Sequence, residues 1–163
     1  MDNTCVVVAD SGRARIFLLE ESPAPRAPFR LIERDTLANP SLRIRGHSVT
    51  GRPRTETNTN REAGPVHPIG AQRERHRIEL ERRFSVEIAR KAAAHARNWS
   101  TGSVVLVADP RMLGFLRDAV RGALKPGIRV KELAKDYAHL TASKLQDQLA
   151  LSGVLPARRG GAR

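Results

Sequence analysis

Two stretches of the chain are apolar without interruption. Thr4-Cys5-Val6-Val7-Val8-Ala9 and Ser103-Val104-Val105-Leu106-Val107-Ala108 are short and rich in β-branched residues. That pattern predicts strands covered on both faces, because a strand with one wet face alternates apolar and polar positions. Asp10-Ser11-Gly12 is turn chemistry, and Arg13-Ala14-Arg15-Ile16-Phe17-Leu18-Leu19 returns as a second strand, antiparallel to the first. A turn with three prolines runs from Glu20 to Pro28. Phe29 to Leu37 then reads as a third strand with partial alternation, completing a meander.

The period changes after residue 70. Leu80, Phe84, Ile88, Ala92 and Ala96 recur every four residues, joined by Ala89 and Ala93, and predict a helix from about Ala71 to Asn98. Asp109-Pro110 is an N-cap followed by a proline suited to the first helical turn. Leu113, Leu116, Val120 and Leu124 stripe that helix, and Pro126-Gly127 ends it. Ile128 to Leu133 reads as a fifth strand. Thr141 caps a last helix whose inward residues are Leu145 and Leu149. The order β-β-β-α-β-α-β-α predicts a single α/β domain over 1–151. Its sheet is mixed and five-stranded, in the ribonuclease-H-like order 3-2-1-4-5, with helices on its faces. Residues 38–70 hold four glycines and four prolines and read as a long loop, and 152–163 as a disordered basic tail.

Charge adds to this picture. The net charge is +12, mostly from arginine, whose planar fork suits phosphate and carboxylate. Between Asn39 and Arg77 lie Arg43, Arg45, Arg52, Arg54, Arg61, Arg73, Arg75 and Arg77 against Glu56, Glu62 and Glu74, a local balance of +5. Such a segment can order on a phosphate backbone by counterion release. Few aromatics interleave it, so base stacking is not indicated. The expected partner is anionic: RNA or the ribosome first, an acidic protein second. The sequence leaves the oligomeric state open.

The residues that bear on catalysis are few. Asp10 and Asp109 close the first and fourth strands. As neighbours they could share Mg²⁺ for phosphodiester cleavage, with Glu74 or Glu79 as a third ligand. Each has a simpler role, Asp10 in a turn and Asp109 as an N-cap. His47, His67, His76, His95 and His139 show no zinc spacing, and no cofactor fingerprint occurs, so neither metal nor cofactor is expected. The single Cys5 reads as a small buried hydrophobe, and Trp99 as a lid on the core. There is no run of eighteen apolar residues and no signal-peptide pattern, which points to the cytoplasm.

Two blocks resemble the bacterial host attachment protein family: Val6 to Phe17, reading VVVADSGRARIF, and Leu106 to Arg117, reading LVADPRMLGFLR. Gly51-Arg52-Pro53 and Leu140-Thr141 look similar too. The family is named for proteins required for attachment to host cells, which implies a phenotype rather than a chemistry. It also looks related to the middle domain of archaeal and eukaryotic peptide-chain release factors, which implies contact with ribosomal RNA. Those factors carry a Gly-Gly-Gln tip before a long helix. Gly70-Ala71-Gln72 is similar in position and departs from the pattern at Ala71. The leading reading is a non-catalytic binder of RNA or another anionic partner. The alternatives are a metal-dependent nuclease using Asp10 and Asp109, a release-factor-like hydrolase using Gln72, and an interaction protein acting in attachment.

Overall fold

The computed structural model describes residues 2–40 and 67–157. Strands β1 (Asn3–Ala9), β2 (Arg13–Glu21) and β3 (Phe29–Ala38) form the meander. Helix α1 (His67–His95), β4 (Gly102–Ala108), α2 (Pro110–Ala123), β5 (Ile128–Ala134) and α3 (Ala142–Leu151) complete the domain. The sheet order is β3-β2-β1-β4-β5, as the sequence predicts. β1 pairs antiparallel with β2 and parallel with β4, which pairs parallel with β5.

The two unbroken apolar runs are the central strands β1 and β4, and their side chains divide by parity. Cys5, Val7, Val104 and Leu106 face α1 and α2, meeting Phe84, Ile88, Ala92, Met112 and Leu116. Val6, Val8, Val105 and Val107 face the opposite way, toward Phe17, Leu31, Leu145 and Leu149 under α3. This accounts for the absence of alternation in the sequence. The edge strand β3 is covered by α3 through Gln146, whose side chain accepts from Leu31 N (3.1 Å) and donates to Phe29 O (2.9 Å). Gly127 has φ of 97°, and a Cβ there would lie 2.8 Å from Ser100 O, so the turn into β5 requires glycine.

Two boundaries differ from those the sequence predicts. α1 starts at His67, because Pro68 fits a first helical turn and Gly70 does not interrupt the helix. The Gly70-Ala71-Gln72 triplet is therefore inside α1, not in a loop before it. At the other end the chain stays packed beyond α3: Leu155 is buried with Leu149 and Val105, so this part of the expected tail belongs to the core.

Cys5 is fully buried. Burial pushes its thiol up to about 12, and the Asp35 carboxylate adds to the push. The native protein should therefore resist a thiol reagent that labels Cys5 rapidly in denaturant. Equal labelling rates in the two states would contradict this packing.

Candidate anion-binding face and the strand ends

α1 has 29 residues, about 44 Å at ~1.5 Å per residue. The seven-residue strands beneath it span only about 23 Å. The buried stripe of α1 begins at Glu81 and continues through Phe84, Ser85, Ile88, Ala89 and Ala92. The turns before it run past the sheet, and residues 70–76 are all exposed.

Of the eight arginines singled out by charge, Arg43, Arg45, Arg52, Arg54 and Arg61 lie outside the described residues. Arg73, Arg75 and Arg77 are on the overhanging part of α1. Two-residue spacing rotates by about 200° on a helix, so Arg75 faces away from Arg73 and Arg77. Arg77 is also engaged: its NH2 lies 3.0 Å from Glu74 Oε1. Glu74 takes Arg111 NH1 as well, at 3.3 Å. Arg111 Nε and NH2 then converge on Glu81 Oε2 at 3.0 and 2.6 Å. The hydrogen bond to Glu81 holds the Arg111 guanidinium even more firmly protonated than usual. This chain of charges, Arg77–Glu74–Arg111–Glu81, ties the overhang to the start of α2. Further along, Glu79 takes both Arg82 and Arg83.

The register of β1 on β4 sets Val8 beside Val107, so Asp10 and Asp109 lie just past neighbouring strand ends as expected. Each is occupied locally. Asp10 Oδ1 accepts from Gly12 N and Arg13 N, both at 2.8 Å. Asp109 Oδ1 caps α2, accepting from Arg111 N (3.0 Å) and Met112 N (3.1 Å). Glu74 and Glu79 are held by guanidinium groups. Among the described residues, no group of three or more His, Cys, Asp or Glu is placed to hold a metal ion. Gln72 stands on an exposed turn. At Gly70 an added Cβ would meet nothing within 4 Å, so this position makes no steric demand for glycine.

The turn at Asp10 has a visible purpose. It launches β2 so that Arg13 and Arg15 reach the segment leading into α3. Arg13 NH2 donates to Ala138 O at 2.8 Å. Arg15 donates to Ala138 O and Leu140 O, and its Nε and NH2 each lie 3.0 Å from a different oxygen of Glu33. Its guanidinium also sits 4.9 Å from the Phe17 ring centroid. The Asp10–Arg15 block and the Leu140-Thr141 region, far apart in sequence, are one structural unit. Next to it a cleft of about 390 Å³ is lined by Asp136, Tyr137, His139, Lys144 and Asp147, among others. Its charges are mixed in sign. Trp99 packs against the core at the end of α1, as the sequence suggests. His95 Nε2 lies 2.5 Å from Asp35 Oδ2, tying the end of α1 to β3.

The far half of α1 carries a feature that sequence reasoning misses. Arg90, Lys91 and, just past the helix end, Arg97 are exposed there, and Lys125, just past the end of α2, lies against Arg97. A groove of about 300 Å³ between these two helix ends is lined by Arg90, Arg97 and Lys125 over Ala93, Ala94, Ala96, Ala123 and Leu124. Helix–helix packing creates this cluster from two segments well separated in the chain, so no local pattern announces it.

No helix of the described residues is long and apolar enough to cross a membrane. No match is found among curated proteins. A family model described as "Protein required for attachment to host cells" matches residues 5–149, taking in both strand-end blocks, the whole of α1 and nearly all of α3. The chain belongs to this host attachment family.

Proposed function

We propose that this host attachment family member is a non-catalytic RNA-binding protein. It grips the phosphate backbone with the Arg43–Arg61 segment and with the outward side of α1, into which that segment leads. The observation that carries the reading is the composition of that side. Arg75, Arg82, Arg83, Arg90 and Lys91 are all exposed there, with Arg97 exposed just past the helix end, against Glu79 and Glu87. Glu79 offsets part of the charge at Arg82 and Arg83, and the rest remains positive. Among the described residues, the side carries no aromatic residue and one exposed large apolar residue, Val86. Such a surface reads backbone charge rather than bases. The same grip would serve a ribosomal RNA surface, and its effect on attachment would then be indirect, from inside the cell.

The test is fluorescence anisotropy of a single-stranded RNA with the full chain across a salt series. Affinity should fall steeply as salt rises. In the Arg75→Ala, Arg83→Ala, Lys91→Ala triple variant, the logarithmic salt slope should shrink by about 2, at ~0.7 per lost cation. Salt-independent binding, or an unchanged slope in the variant, rejects the reading.

A further inference from the structure

We propose that the groove between the C-terminal ends of α1 and α2 is a phosphate-binding site with Arg90, Arg97 and Lys125 as its ligands. The inference goes beyond the RNA reading, because it needs a phosphate group and not a polymer. It starts from how the described cations are disposed. Arg15, Arg34, Arg77, Arg82, Arg83, Arg111, Arg117 and Arg129 each lie within ion-pair distance of a carboxylate. Arg90 and Arg97 pair with none among the described residues, and no acidic side chain lines the groove. Lys125 Nζ donates to Arg97 O, which fixes the ammonium in place and leaves its other two N–H groups to donate elsewhere.

The bland alternative is that these cations only offset the helix ends. Both C-termini do carry partial negative charge, about half a unit each, and basic residues commonly sit there. The magnitudes argue otherwise. Three full cations exceed the two half-charges by about two units. The dipole effect also fades beyond the last turn, and Arg90 lies five residues before the end of α1 at His95. Three like charges around one cavity repel one another, and a bound anion relieves that repulsion.

The walls define the ligand. Four alanines and a leucine let a compact group approach the backbone and offer no ring to stack a base. A volume of about 300 Å³ is at the low end for a ligand pocket, typically ~300–1,000 Å³. A phosphate monoester, with up to two negative charges and three acceptor oxygens, matches the three cationic side chains that line the groove. It can come from an RNA terminus or from a small phosphorylated molecule.

The experiment is calorimetric titration of the full chain with inorganic phosphate at constant ionic strength, chloride replacing phosphate in the control. Saturable binding is expected. It should weaken by about tenfold or more in Arg90→Ala and in Arg97→Ala, the loss expected for a hydrogen bond to a charged group. Lys135→Ala, an exposed cation after β5 and outside both the groove and the α1 face, should leave it unchanged. Absence of saturable binding overturns the proposal. So do Arg90 and Arg97 variants that melt earlier yet bind phosphate normally, because their charges would then serve only the helix ends. A second arm compares one RNA sequence with a 5′-phosphate, a 3′-phosphate or hydroxyl ends. A terminal-phosphate preference lost in Arg90→Ala identifies RNA ends as the source. Equal RNA affinities beside intact phosphate binding identify a small phosphorylated ligand. Phosphate binding without any RNA binding sinks the RNA reading and leaves this one standing.

Discussion

Replacing Arg111 by alanine is expected to destabilise the fold by about 3 kcal/mol, at the low end of the ~3–5 kcal/mol seen when one partner of a buried ion pair is removed. Glu81 stands in the buried stripe of α1, its side chain only 6% exposed, and Arg111 places two N–H groups on its Oε2. Without the guanidinium, that carboxylate stays in the interface with no cation. Arg111 is itself 41% exposed, which is why the low end applies. A cation in a first helical turn opposes the helix dipole, so its presence there is explained by Glu74 and Glu81 across the interface. Replacing both partners, Glu81→Leu with Arg111→Met, should recover most of the loss, because an apolar pair leaves no buried charge. Urea unfolding checks both. A loss below about 1 kcal/mol in Arg111→Ala would place this pair among screened surface pairs.

The Arg15→Ala variant is expected to lose about 2–3 kcal/mol, since it strips the donor from Leu140 O, leaves Ala138 O with Arg13 alone and removes the cation from Glu33. Arg15→Lys should not rescue it, because one ammonium cannot span Glu33 and the carbonyls of Ala138 and Leu140 together. A pH signature accompanies the loss. The hydrogen bond from Arg15 holds the Glu33 carboxyl below its ordinary value of 4.5, against the opposing effect of burial. A carboxyl lowered in the folded state stabilises the fold above its unfolded value, and that contribution disappears as pH falls through its folded value. The native protein should therefore lose stability as the medium is acidified below about 4.5, and Arg15→Ala should lose less over the same interval. Parallel pH profiles for the two proteins would refute the assignment.

Much of this architecture can be read from local pattern. The valine runs at 6–8 and 104–107 declare two central strands, and Asp109-Pro110 and Thr141 declare helix starts that the structure shows as N-caps. The start of α1 is harder to read, because Pro68 and Gly70 look like loop residues while proline is tolerated in a first turn. Charge is the weakest guide. Arg73, Arg75 and Arg77 form one cluster on paper and two opposite sides on a helix. Glu81 lies one residue from the Leu80 stripe and is indistinguishable from a surface acid until Arg111 is placed against it. The groove of Arg90, Arg97 and Lys125 exists only once two helices pack, so it depends on tertiary contact that no single segment encodes.

The position of β1 has a consequence for how the molecule is made. It lies between β2, its immediate successor, and β4, whose last residue emerges nearly one hundred residues later. At ~5–20 residues per second that delay is about 5–20 s on the ribosome. For the last 70 residues of it, from the end of β3 at Ala38 to the end of β4 at Ala108, the nascent meander presents Val6, Val7 and Val8 along an unpaired inner edge, open to any passing extended segment. The interval before β4 docks is therefore the most aggregation-prone stage of biosynthesis, and substitutions that slow that docking should show up as insoluble product before they affect the finished protein.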